Sequence, residues 1–181
     1  MAAPALLIID LQTGMFNGAR IAPIHDGDAL LSRVAALLAA ARRSGVKVIY
    51  VRHGSPAGQL LEPHTANWEI HPAIAPSTEE VIVDKRTPDS FHETSLAREL
   101  AAIGAHRLII AGAQTEVCVD TTCRRAFSLG FDTELVSDGH ATWSGVALTA
   151  DQIIAHTNQT LAAHFVSLVT AAEVVERFAA L

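Results

Sequence analysis

The sequence predicts an α/β fold in which a mostly parallel sheet carries helices on both faces. Two observations lead there. Six short runs rich in β-branched and apolar residues recur along the 181 residues, and segments with helical apolar spacing alternate with them. The runs are nearly continuous rather than alternating, the pattern of strands covered on both sides. The length suits a single domain, 1–181, with enough chain to bury a sizeable core.

The first strand is read at Ala5–Asp10. A helix follows, with Leu30, Val34, Leu37, Leu38 and Ala41 on one stripe, Asp26 or Asp28 at its start and Gly45 at its end. The second strand is Val46–Arg52. The stretch Gly54–Thr78 holds four of the seven prolines, two glycines, His64, Trp68 and His71, without periodicity. A loop of that length inside a compact domain usually serves or covers a site. A third strand at Glu80–Asp84 leads to a helix with Leu96, Leu100 and Ile103, capped by Thr94 or Ser95 and stopped by Gly104. The fourth strand, Arg107–Ala111, runs into a helix from Thr115 to Gly130, with Thr115 as N-cap and Val119, Cys123, Ala126 and Phe127 on one face. Asp132–Val136 is the fifth strand, Thr149–Ala163 a helix, Phe165–Val169 the sixth strand, and a last short helix starts at Ala171.

Composition excludes several function classes. The formal charge is −6, and no basic cluster exceeds Arg42-Arg43 or Arg124-Arg125, so no concentrated cationic face is offered to nucleic acid. No apolar run approaches the ~20 residues of a membrane span. Met1-Ala2-Ala3-Pro4 lacks the basic flank of a signal peptide. A cytoplasmic protein without a membrane partner is the expectation. Cys118 and Cys123, five apart on one helix, are turned roughly 140° from each other, which is poor placement for a disulfide and fits a reducing compartment.

In open α/β sheets, ligands bind beyond the carboxyl ends of the strands where strand order reverses. Three such ends carry reactive groups: Asp10 with Gln12 behind it, Asp84-Lys85, and the strand–turn–helix Ala111 to Cys118. Singly, an Asp here is a turn residue, a Lys is solvated and a Cys is a small apolar core residue. Jointly they place an acid, an ammonium and a thiol at one sheet edge. Cys118 sits near a helix start, so the dipole and Lys85 are expected to lower its pKa. Asp10 can take the thiol proton and return it to a leaving amine, and N–H groups of the 113–118 turn are candidates for an oxyanion hole. Cys123 falls on the apolar stripe and reads as core.

The ordered set Ile9-Asp10-Leu11-Gln12, Lys85 with Asp89-Ser90-Phe91, Gly112-Ala113-Gln114-Thr115-Glu116-Val117-Cys118-Val119 and Val136-Ser137-Asp138 resembles the isochorismatase-like cysteine hydrolases. That family includes nicotinamidase, N-carbamoylsarcosine amidohydrolase and streptothricin hydrolase. The resemblance implies a six-stranded sheet in the order 3-2-1-4-5-6 and a catalytic triad of Asp10, Lys85 and Cys118. It further implies a cis peptide at Ala113–Gln114, with the oxyanion held near Ala113, Gln114 and Cys118, and assembly into a homo-oligomer.

Departures from the pattern narrow the reading. Nicotinamidases carry an Asp-x-His metal motif after the second strand, where this chain has Val51-Arg52-His53-Gly54. No metal at His53, His64 or His71 and no cofactor are expected, and nicotinamide is not the favoured substrate. Isochorismatases proper cleave a vinyl ether without a nucleophilic cysteine, whereas Cys118 favours attack on a carbonyl. The reading is thus a hydrolase of a small-molecule amide, lactam or carbamoyl C–N bond acting through a thioester. A vinyl-ether hydrolase and a non-catalytic scaffold of the same fold are the alternatives. A dinucleotide-binding oxidoreductase is disfavoured, because Asp10-Leu11-Gln12-Thr13-Gly14 replaces the Gly-rich turn after the first strand. Substrate contacts are assigned to Gln12, Phe16, His53, Trp68 and Phe91, with His140-Ala141-Thr142-Trp143 as weaker candidates.

Overall fold

Strand β1 (Pro4–Ile9) lies at the centre of a six-stranded, all-parallel sheet of order 3-2-1-4-5-6. The structure is a computed structural model that describes residues 4–181, so the reading of Met1–Ala3 falls outside the described residues. The remaining strands are β2 (Lys47–His53), β3 (Val81–Lys85), β4 (Arg107–Ala113), β5 (Asp132–Ala141) and β6 (Ser167–Val169). The helices are α1 (Gly27–Ser44), α2 (Leu96–Ala102), α3 (Asp120–Ser128), α4 (Ala150–Ala162) and α5 (Ala171–Ala179).

Side-chain alternation splits β1 between two cores. Leu6 and Ile8 pack with α1 and α5, while Ala5, Leu7 and Ile9 pack with α2, α3 and α4. The expected burial on both faces holds for the inner strands. It fails at the sheet's edges, where Val81, Ile82 and Leu168 are partly exposed, because an edge strand has a neighbour on one side only.

Chain order reverses between β1 and β4, and Gly112 brings those two strands unusually close. A Cβ added to Gly112, whose φ is +144°, would lie 2.2 Å from the Ile9 carbonyl oxygen. Another glycine shapes β5, which outran the expected end at Val136. Ile110 pairs with Leu135 and Gly112 with His140, so residues 136–139 bulge out before the ladder resumes. Gly139 permits the bulge, since its Cβ would meet Val136 Cγ1 at 2.7 Å. Within it, Ser137 Oγ donates to the Val169 carbonyl and Asp138 Oδ1 accepts from the Ala171 N–H at the start of α5.

Some local expectations are corrected. Asp26 precedes α1 in the left-handed region without a side-chain cap, whereas Gly45 ends that helix as expected. Thr115 does not cap the nucleophile helix. Gln114 occupies that position, and Thr115 opens a single π-type turn, Thr115–Val119, that leads into α3. Phe127 points outward, 49% exposed, against Phe165. Thr149 and Thr170 both form capping boxes, with Gln152 and Glu173.

The 54–78 stretch folds back over the end of β1. Thr13 and Gly14 N–H groups donate to the Glu69 and Asn67 carbonyls, Gln12 bridges to Ile70, and Leu61, Trp68, Ile70 and Ile74 enter the core. Tyr50 secures its far end by donating to the Ile74 carbonyl.

Candidate active site

Asp10 stands one residue past β1, at φ +52°, a backbone region that Asp tolerates better than most residues. Its N–H is held by the Val51 carbonyl. Lys85 ends β3, two strands away from β1, a span of roughly 10 Å. Its four-carbon stem crosses the end of β2 and delivers Nζ to 2.7 Å from Asp10 Oδ2 and 3.1 Å from Cys118 Sγ. The same ammonium donates to the Thr87 carbonyl and lies 3.4 Å from His53 Nδ1. The Asp10 and Lys85 side chains are 1% and 0% exposed. The three sequence-predicted catalytic groups therefore meet at the carboxyl edge of the sheet, on either side of the point where strand order reverses.

The electrostatics differ from the sequence-based expectation. Burial first, and the Asp10 carboxylate second, push the Cys118 thiol up to about 12, with Lys85 opposing. A lowered value was expected from the helix start and the cation. Instead the site places a carboxylate beside a buried sulfur, and the lysine's charge is shared between the two. Burial works against the Lys85 ammonium, yet Asp10 and then Cys118 hold its pKa above the usual lysine range. Burial, and then Lys85, keep the His53 ring below the usual histidine range, hence neutral at pH 7.

Asp10, His53 and Cys118 offer donor atoms all within 4.8 Å of one another, the kind of trio that holds a metal ion. Here the Lys85 ammonium lies within 3.4 Å of each of them. The position a cation would take is filled by a covalently attached one. His64 packs against Trp68, and His71 accepts from the Ala73 N–H.

Cys118 opens onto a cavity of about 440 Å³. Its walls come from Met15 and Ile21 after β1, Ser55, Leu60 and Leu61 from the loop after β2, Pro88 after β3, Gln114 and Val117 of the nucleophile turn, and Trp143 after β5. Trp143 Nε1 donates to the Ala22 carbonyl, which spends the indole's one polar group and holds the two sides of the mouth together. The Ala113–Gln114 peptide is cis. Ala113 is buried and pairs with Ala141, whereas Gln114 borders the cavity, and its backbone N–H has no partner among the described residues.

Of the five residues assigned to substrate contact, His53 lines this cavity, and of the weaker candidates Trp143 does. Gln12 is fully buried and brackets His53 instead: Oε1 accepts from the His53 N–H, and Nε2 donates to the carbonyls of His53 and Trp68. Trp68 belongs to the core under a lid of Arg52, whose guanidinium lies 3.3 Å from the ring centroid and pairs with Asp84 and Glu69. Phe16 packs on His71, and Phe91 on Phe131. Their spacing of six from Asp10 and Lys85 carried no information about direction, and a six-residue loop segment can turn inward. Sequence reading missed Met15, Ile21, Leu60 and Leu61, which look like ordinary core residues until the loops are folded. Only the long unpatterned loop hinted at them.

Residues 4–173 match the isochorismatase domain. A streptothricin hydrolase of Streptomyces noursei is 37% identical over 139 residues, 77% of this chain and 50% of that protein. A second one covers 54% of its length, so the chain spans about half the length of these relatives. Nicotinamidase 3 of Arabidopsis thaliana is 30% identical over 77% of this chain and 74% of its own. Among solved structures, a cysteine hydrolase from Pseudomonas syringae pv. phaseolicola superposes with a TM-score of 0.93 at 26% identity, covering 98% of this chain and 92% of that one. An isochorismatase from Pseudomonas putida gives 0.88 at 30% identity, covering 94% and 89%.

Proposed function

The chain belongs to the isochorismatase family of hydrolases, and from that premise we propose that it cleaves the C–N bond of a small neutral amide, lactam or carbamoyl compound, with Cys118 as nucleophile. One observation carries the reading: a buried ammonium, Lys85 Nζ, bridges the Asp10 carboxylate and the Cys118 sulfur at the floor of a cavity.

A thiol pushed up to about 12 keeps its proton at rest. The thiolate is then made during attack, as the proton passes to Asp10. That transfer moves one proton inside the site and leaves the net charge next to Lys85 unchanged, so no new charge is buried. Sulfur adds to the carbonyl carbon, and Gln114 N–H stands at the cavity wall to receive the developing oxyanion. Asp10 returns the proton to the departing nitrogen, the amine leaves, and water hydrolyses the thioester with Asp10 as base.

The walls favour a neutral acyl group. Among the described residues Asp10, already paired with Lys85, is the one charged side chain lining the cavity, so a substrate ion would lose hydration without gaining a free partner. The volume fits a small molecule rather than a polymer segment.

The test is a screen of primary amides, lactams and carbamoyl compounds for ammonia or amine release, with Cys118→Ala alongside. Turnover by the wild type and none by the variant is expected. Equal release by both would remove Cys118 from the reaction.

A further inference from the structure

The turn that carries Cys118 is gripped from behind by β5. Thr115, first residue of that turn, is fully buried, and its Oγ1 lies 2.9 Å from His140 Nδ1. His140 Nε2 in turn lies 2.9 Å from Asn158 Oδ1 on α4, and Asn158 Nδ2 donates to the Ser137 carbonyl. That last bond fixes the chain of donors. With its amide N–H₂ committed to Ser137, Asn158 presents oxygen to the ring, so His140 carries its proton on Nε2. Nδ1 is then bare and accepts the Thr115 hydroxyl proton. Two residues on, just past the end of β5, Thr142 Oγ1 donates to Glu116 Oε1. Consecutive residues of the nucleophile turn are thus tied to His140 near the end of β5 and to Thr142 just past it.

The bulge in β5 is what brings His140 there. Without the extra residues between Leu135 and His140, side chains would continue in simple register with β4, and position 137 would face Gly112 in place of 140. No part of this chain touches the reacting groups. The Asp10–Lys85–Cys118 reading leaves His140, Thr115 and Asn158 without a task.

We infer that His140 is a positioning residue for the nucleophile, acting through Thr115: the ring holds the base of the π-type turn, and the turn sets where Cys118 Sγ stands relative to Lys85 and Asp10. This rests on Cys118 being the reactive thiol. A nucleophile must be held within a fraction of an ångström of its attack geometry, and one misplaced by about 1 Å loses on the order of 100-fold in rate.

The probe is iodoacetamide, with alkylation of Cys118 followed by peptide mapping at neutral pH, well below each variant's Tm. Thr115→Val, which exchanges a hydroxyl for a methyl of similar size, and His140→Leu should each slow Cys118 alkylation by tenfold or more in folded protein. The double variant should be no slower than the worse single one, because both break the same contact. Thr115→Ser, which keeps the hydroxyl, should stay within threefold of wild type. A rate within twofold of wild type for folded Thr115→Val overturns the inference, whether or not His140→Leu folds. Effects that multiply in the double variant, or no rescue by Thr115→Ser, overturn it as well. If these alkylation results hold but no amide is turned over by the wild type, the proposed hydrolysis fails and the positioning role stands.

Discussion

Gly112 and Ile9 touch backbone to backbone: a methyl on Gly112 would stand 2.2 Å from the Ile9 carbonyl oxygen and 2.7 Å from its nitrogen. This contact sits one residue before Asp10 and six before Cys118, so the closeness of β1 and β4 is also what sets acid and thiol side by side. Gly112→Ala must drive the two strand ends apart. It should destabilise the protein by more than about 4 kcal/mol or abolish soluble expression. Gly130→Ala, also at positive φ but with open space around the added carbon, should cost only about 1 kcal/mol. Urea denaturation of the two variants makes the comparison, and similar midpoints would show that the close approach relaxes freely.

The raised thiol makes the fold sensitive to alkali. The ordinary thiol value is 9.0, and Cys118 is pushed up to about 12 in the folded protein. Between those pH values the folded state keeps a proton that the unfolded chain has released, so the contribution is whole below pH 9 and falls as pH rises. The slope for one such group is up to about 1.4 kcal/mol per pH unit. Cys123 and Tyr50, raised chiefly by burial, act in the same direction. Cys118→Ser, which does not titrate in this range, should therefore flatten the loss of stability above pH 9 without removing it. Identical slopes for the two proteins in chemical denaturation would mean the thiol is not raised.

The two cysteines should separate by access. Cys118, 9% exposed, borders the cavity, whereas Cys123 is 0% exposed in the core. Iodoacetamide in excess at pH 8 should label Cys118 at least 100-fold faster than Cys123, and the Cys118 rate should climb with pH as thiolate forms. Mass mapping of partially labelled protein decides it. Equal labelling would show that the cavity does not lead to the sulfur.

The strands and the three reactive strand ends were legible because each depends on a pattern the chain writes locally: apolar runs for the strands, and Asp10, Lys85 and Cys118 at or just past their ends, whereas the sheet order came from the family resemblance. The thiol's pKa was not legible. Helix position and a cation argue for a low value, and only the folded geometry reveals that Asp10 and burial outweigh both. Nor were the cavity walls. Whether Phe16, Trp68 or Phe91 faces a substrate or the core depends on loop paths, and those are set by remote contacts such as Gln12 with the His53 and Trp68 backbones. The length of β5 was missed for a related reason. The strand was expected to end at Val136, yet Ser137, Asp138 and Gly139 form a bulge after which the chain rejoins β4.

Lys85 is as much a structural group as a functional one. With side chains 0% and 1% exposed, Lys85 and Asp10 neutralise each other in the interior. Lys85→Met leaves a buried carboxylate without its partner and should cost about 3–5 kcal/mol, with the loss of activity inseparable from the loss of stability. The double variant Lys85→Met/Asp10→Asn removes both charges and should recover a good part of that stability while remaining inactive. Thermal denaturation of the three proteins tests the pairing, and a double variant less stable than Lys85→Met would contradict it.

His53 brings a polar ring to the cavity wall. Its Nδ1 lies 3.4 Å from the Lys85 ammonium, which can only donate, so the tautomer that suits this contact carries its proton on Nε2. Gln12 grips the His53 backbone on both sides, so the ring's anchor point does not drift. Among the described residues no protein group accepts from Nε2, and a substrate oxygen or the departing nitrogen is the natural partner. His53→Phe keeps the ring volume and deletes the donor, and should lower kcat/KM by about 10–100-fold, in line with about 1.5–3 kcal/mol for one lost hydrogen bond at a polar centre. His53→Gln restores an N–H₂ near the same place and should regain part of the loss. Alkylation of Cys118 by iodoacetamide needs no such donor and should change less than threefold in both variants. Were His53→Phe to slow alkylation and hydrolysis in equal measure, the ring would be acting on the Lys85–Cys118 pair and not on the substrate.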